Sequence, residues 1–119
     1  MVRYNDININ ITPSGAKDVH VSYSSNGTVH LDFMDYLEKK VNVTFSDVMA
    51  FRYIAIDEDA VGRKDQIYEV LESEWLKTEL SDYSEEEQEA LTHFIFCFDT
   101  YNKAFHVICS RDFDFSKSE

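Results

Sequence analysis

His93, His106 and Cys97 are the side chains in this sequence best suited to chemistry, because imidazoles and a thiol can hold zinc or activate a nucleophile. Residues Thr92 to Phe98 and Lys103 to Ser110 are rich in Phe, Ile and Val, and Asp99-Thr100-Tyr101-Asn102 between them has turn chemistry. If Phe98 pairs with Lys103 in an antiparallel hairpin, His93 lies opposite Ile108, His106 opposite Ile95 and Cys97 opposite Ala104, all on one face. Cys97 is then four residues along the strand from His93, too far to share one coordination shell without a bend. Three ordinary half-buried residues are the competing reading, and no catalytic residue is assigned. In the same register Cys109 stands five residues beyond the position opposite Cys97, roughly 16 Å away at ~3.3 Å per residue. A disulfide needs Cα atoms within about 7 Å, so two thiols are expected.

Asp57-Glu58-Asp59 supplies oxygen ligands for Ca²⁺ or Mg²⁺, but adjacent strand residues point to opposite faces and the spacing lacks the alternating ligands and glycine of an EF-hand. A solvated loop is expected there, with no metal and no cofactor. Phosphate loops need glycines so that backbone N–H groups can approach an anion, and Gly15, Gly27 and Gly62 fall in no such pattern. No Gly-x-Ser-x-Gly elbow is present.

The elements that must position these residues are legible from periodicity. Ile7, Ile9 and Ile11 alternate, as do Val19, Val21 and Tyr23, then Val29, Leu31 and Phe33, then Val41, Val43 and Phe45, which reads as a meander of half-buried strands. A two-residue Asn26-Gly27 loop would turn the second and third sets to opposite faces. A three-residue loop, Ser25-Asn26-Gly27, pairs Tyr23 with Val29, Val21 with Leu31 and Val19 with Phe33 on one face, and puts His20 opposite Asp32 on the other. Residues Val48 to Ile56 are apolar on both faces except at Arg52, which predicts a central strand or one packed under a helix. From Lys64 to Leu80, residues Ile67, Tyr68, Val70, Leu71 and Trp75 share one arc at 100° per residue, and Asp65, Glu69, Glu72 and Glu79 the opposite one. That predicts an amphipathic helix, against which Glu74 projects into the apolar arc. Ser84-Glu85-Glu86-Glu87 is a capping box opening a short second helix that runs to about Leu91. Phe113 and Phe115 close a last short strand. The expected fold is one α+β domain over residues 1–119. It has a mostly antiparallel sheet of about seven strands, with one longer amphipathic helix and a short second helix inserted before the C-terminal hairpin.

Charge is concentrated. Residues Asp57 to Glu89 hold thirteen acids against three bases, a net of −10 in a chain whose total is −12. Such a field draws basic partners and repels nucleic acid. With 44% hydrophobic and 14% aromatic residues, the chain is too apolar for a disordered acidic tail. No apolar run approaches the ~20 residues that span a bilayer, and Met1 to Asp6 lack the apolar core of a signal peptide. A soluble cytoplasmic protein follows, in which the sequons at Asn10, Asn26 and Asn42 are chance matches. Leu76 projects into the acidic arc, and an apolar side chain ringed by carboxylates has the form of a small binding hot spot. The partner-facing surface is therefore expected at Asp57, Glu58, Asp59, Asp65, Glu69, Glu72, Leu76 and Glu79, with a basic protein as partner and neither nucleic acid nor membrane bound directly.

Phe51-Arg52-Tyr53 leading into Asp57-Glu58, the expected middle helix, and the aromatic hairpin Phe94-Ile95-Phe96-Cys97-Phe98 through Val107-Ile108-Cys109 resemble small acidic immunity proteins of bacterial polymorphic-toxin systems, over roughly the last two-thirds of the chain. The resemblance implies a non-enzymatic inhibitor that binds a cognate toxin domain, often a basic nuclease, and blocks its active site or substrate path. The alternatives are an acidic nucleic-acid mimic, a structural subunit kept soluble by its acidic face, or a small metal- or thiol-dependent enzyme using His93, His106 and Cys97.

Overall fold

A computed structural model describes residues 3–7, 9–56 and 66–118. The period-2 segments form strands: β1 (Arg3–Asp6), β2 (Lys17–Ser24), β3 (Thr28–Met34), β4 (Lys40–Phe45), β5 (Ala50–Ala55), β6 (Ile67–Leu71), β7 (Leu91–Phe98), β8 (Lys103–Ser110) and β9 (Asp114–Lys117). Two short helices, α1 (Glu74–Glu79) and α2 (Glu85–Glu89), sit between β6 and β7. The strands make two antiparallel sheets, one ordered β1-β6-β7-β8-β5 and the other β2-β3-β4-β9.

The sheets face one another across a single apolar core. Val29, Leu31, Phe33, Val41, Val43 and Phe45 come from one, and Phe94, Phe96, Phe98, Phe105, Val107 and Cys109 from the other. Their rings interlock, with Phe45 edge-on to Phe96 at 5.6 Å and Phe33 edge-on to Phe98 at 5.2 Å. This is a β-sandwich, whose inward residues alternate with outward polar ones along each strand. The outer face of the five-stranded sheet is apolar too, carrying Ile56, Tyr68, Ile95, Cys97 and Ala104.

The expected α+β fold with a long amphipathic helix is thus replaced, among the described residues, by nine strands in two sheets and helices of six and five residues. The first half of the expected helix is β6. Ile67 faces the sandwich core and Tyr68 the outer cluster, so both faces of the strand are covered. A short run apolar on both faces has no period that separates strand from helix. The chain then turns at Glu72, whose φ is +54°, and Ser73 caps α1. Glu74 opposed the helical pattern because the helix begins there.

Two further expectations are corrected. Ile7, Ile9 and Ile11 lie outside regular strand, although all three pack on the core, and the first strand is Arg3–Asp6. The apolar run Val48 to Ile56 yields β5, which among the described residues is an edge strand rather than a central one; of the alternative, a strand packed under a helix, the structure shows one contact, Arg52 against Trp75 of α1. The three-residue loop holds: Gly27 takes φ +83°, Tyr23 pairs with Val29, Val21 with Leu31 and His20 with Asp32. The register shifts between Lys17 and His20, so Val19 leaves the expected pairing with Phe33. Cys97 and Cys109 are buried thiols on opposite faces of the five-stranded sheet.

Asp35 ties the β3–β4 turn to β9. Its fully buried Oδ1 accepts from the N–H groups of Leu37 and Lys39 at 2.9 Å each, and Oδ2 meets Lys117 Nζ at 3.2 Å. Burial alone would raise its pKa, but those N–H donors and the ammonium outweigh it and hold the carboxyl below its usual range. Asp35→Ala is expected to cost about 2–4 kcal/mol in urea unfolding, because it strands two N–H groups and a partly buried cation. Asp35→Asn keeps the two N–H bonds and should cost less.

Candidate partner-binding surface and the histidine cluster beneath it

The β7–β8 hairpin turns through Asn102, whose φ of +52° is a left-handed conformation that asparagine tolerates. That turn fixes the expected register: His93 opposite Ile108, His106 opposite Ile95, Cys97 opposite Ala104. The two imidazoles are diagonal neighbours on the outer face, with His93 Nε2 and His106 Nδ1 2.9 Å apart. Cys97 lies two pleats along β7 from His93, in the apolar cluster with Tyr68, Ile95 and Ala104.

Neither periodicity nor spacing announced the residues that complete this cluster. Ser73, buried at the cap of α1, has its Oγ 2.7 Å from His93 Nδ1 and accepts from the N–H of Leu76 at 3.1 Å. The Trp75 ring stands edge-on to His93 at 5.1 Å and to His106 at 6.1 Å. Arg52, opposite His106 on β5, places its guanidinium 4.3 Å above the Trp75 ring. The Trp75 indole N–H donates to Glu79 Oε1 at 3.1 Å. One direction uses every proton between these atoms: Ser73 O–H donates to His93 Nδ1, and His93 Nε2–H donates to His106 Nδ1. The reverse direction leaves the Ser73 hydroxyl proton without an acceptor among the described residues.

Both histidines are held neutral. Burial, with the neighbouring His106 and the Arg52 charge, pushes His93 down to about 3, and burial with Arg52 pushes His106 down to about 4. A general base works best with a pKa near the operating pH. Imidazoles this hard to protonate are weak bases, and Ser73 is buried and committed to its helix cap. The cluster therefore fastens α1 to the sheet more readily than it performs proton transfer. Among the described residues no group of three or more His, Cys, Asp or Glu could hold a metal ion. Burial, with the Asp47 charge, pushes the Cys109 thiol up to about 12, which removes its nucleophilic form at neutral pH.

Above the cluster lies the acidic surface. A groove of about 740 Å³ opens between the end of β6, α1, α2 and the start of β7, where Glu69, Glu72, Leu76, Glu85, Glu89 and His93 line it. The structure thus brings together Glu69, Glu72 and Leu76 of the expected set. They come from a strand, a turn and a helix, not from one helical face. Glu79 sits at the exposed end of α1, outside the groove lining. Asp57, Glu58, Asp59 and Asp65 lie outside the described residues.

Glu85 and Glu89 were not expected at this site, although the capping box that positions them was legible. Ser84 Oγ accepts from Glu87 N–H, and Glu87 Oε1 accepts from Ser84 N–H. The Gln88 amide then donates to the carbonyls of Leu80 and Tyr83, tying α2 to the end of α1. Among the described residues, three cations touch the carboxylates of this region: Arg111 meets Glu69 at 3.3 Å, Arg3 meets Glu72 at 3.6 Å and Lys77 meets Glu74 at 3.9 Å. These pairs are exposed on at least one side and weak. From Gln66 to Leu91 nine carboxylates face one ammonium, so the surface stays strongly negative.

No helix among the described residues is long and apolar enough to cross a membrane. No protein-family model matches the chain, and no curated protein or solved structure matches it at a significant level.

Proposed function

We propose that this chain is a non-enzymatic, acidic protein-binding module that works in the cytoplasm and neutralises a basic partner. A toxin nuclease domain is the partner class that the resemblance to immunity proteins implies. The observation that carries the reading is the groove at Glu69, Glu72, Leu76, Glu85 and Glu89, an apolar side chain set among carboxylates. A field of this sign speeds the approach of a cationic protein, and a central apolar anchor slows its departure. The carboxylates of α1 and α2 add to the field because all of them are exposed and, among the described residues, only Glu74 has a cationic partner, at 3.9 Å.

A pull-down from the native host at low salt, eluted by a salt gradient, tests it. One basic protein co-eluting in stoichiometric amount is the expected result. With that partner in hand, charge reversal at Glu69, Glu72 and Glu79 together should slow association at low salt by about tenfold or more, with the gap closing as salt rises. Unchanged affinity at low salt would sink the assignment of this surface.

A further inference from the structure

The acidic arm from Ser73 to Ala90 has little to hold it in place by itself. Helices of six and five residues are far shorter than those that persist in isolation. Neither contains a buried residue. Among the described residues, the three side chains of the arm that fix it most firmly are Ser73 at its cap, the Trp75 ring against the two imidazoles, and Leu80, which is fully buried. Two of those three anchors meet the histidine pair.

The hydrogen-bond chain tolerates one proton and rejects two. If His106 gains a proton, the direction can reverse at the cost of freeing only the Ser73 hydroxyl proton: His106 Nδ1–H donates to His93 Nε2, and His93 Nδ1–H donates to Ser73 Oγ. With both rings protonated, N–H faces N–H across 2.9 Å, and two cations share a buried site. Among the described residues, no carboxylate reaches the pair. From β5, Arg52 adds a third positive charge. From β6 comes the Tyr68 ring, and on β7 the Cys97 thiol lies further along the same face. From α1 the Trp75 ring faces the pair with its N–H turned to Glu79, while Glu74 and Lys77 pair with each other on the exposed side. The carboxylates of the groove, Glu69, Glu72, Glu85 and Glu89, with Lys77 and Arg111 among them, line solvent above His93.

From this arrangement we infer that the His93–His106 pair is a proton-operated latch, docking the acidic arm on the sheet when neutral and releasing it when both rings are protonated. Release dismantles the groove, because α1 and α2 form one wall and β6 and β7 the other. On the reading given under Proposed function, on which this consequence rests, the partner is let go in acidic surroundings. The latch itself stands without that reading.

Trp75 is the only tryptophan in the chain, so its emission reports on the arm. The full-length protein is titrated downward from pH 7.5, following tryptophan emission, acrylamide quenching of that emission, and the far-ultraviolet circular dichroism of the sheets. The expected result is a red shift and increased quenching between pH 6.5 and 4, while the sheet signal persists. In His106→Gln, whose amide can still accept from His93 but cannot become a cation, the midpoint should fall by more than ~1 pH unit. Emission that holds steady to pH 4, or that changes only as the sheet signal collapses, overturns the latch. So does a transition that His106→Gln leaves in place, provided the variant matches the wild-type spectra at pH 7.5. A clear transition in a protein that captures no basic partner at pH 7.5 keeps the latch and removes the partner reading instead.

Discussion

Phe45→Ala is expected to remove a large share of this protein's stability. Phe45 ends β4 with no exposed surface, and its ring meets Phe96, Phe105 and Phe113 at 5.6, 5.7 and 5.5 Å. It therefore joins the four-stranded sheet to β7 and β8 of the other sheet. Those neighbours are themselves held by backbone pairing, so they cannot collapse into the space the ring leaves. Truncating a buried Phe costs about 3–5 kcal/mol, the lost transfer energy plus the cavity. A domain of this size holds only about 5–15 kcal/mol in total. Urea unfolding at pH 7.5 should show the midpoint falling with little change in slope. Phe115→Ala supplies the contrast: that ring is 40% exposed on β9, and its removal should cost under about 1 kcal/mol.

Acidification should produce the second large effect. The folded-state pKa values of His93 and His106 are about 3 and about 4, against 6.5 for a free imidazole. Between those limits the unfolded chain binds protons that the folded chain cannot accept. Stability is therefore complete above pH 6.5 and falls as pH drops below it. Two such groups give a limiting slope of about 2.7 kcal/mol per pH unit, and a loss on the order of 2–4 kcal/mol by pH 5. The decline should flatten where the arm undocks, because the undocked protein takes up the same two protons as the unfolded chain. Urea unfolding free energies at half-unit pH steps from 7.5 to 4.5 test this, and His106→Gln should roughly halve the slope. A flat profile across that range would show that the imidazoles are hydrated in the native state. Below pH 4 the protonation of Asp35 adds to the loss, since its carboxyl stabilises the fold only while ionised.

Several parts of this protein were legible in the sequence, each through a local rule. Alternation at Val29, Leu31, Phe33, Val41, Val43 and Phe45 named the core face of β3 and β4 before any partner was known. The Asn26-Gly27 turn, weighed against which face must be buried, gave the β2–β3 register. The Asp99 to Asn102 turn gave the β7–β8 register, and so placed His93 near His106. Ser84 and Glu87 named the start of α2. Each of these devices acts over a few residues and leaves its mark in residue type.

What only the tertiary structure decided is pairing between distant segments. Ile67 to Leu71 became a strand because β7 and β1 lie on either side of it to complete its backbone hydrogen bonds, and nothing in those five residues announces such neighbours. The Val48 to Ile56 run looked central from its apolar faces and became an edge strand, since sheet order is set by the whole set of strands that compete for partners. The histidine cluster draws Arg52, Ser73, Trp75, His93 and His106 from β5, the cap of α1, α1 itself, β7 and β8. Periodicity and turn chemistry fix how a segment folds and which face it buries. Which other segment then covers that face depends on contacts far apart in the chain, and those exist only once the sheets have assembled.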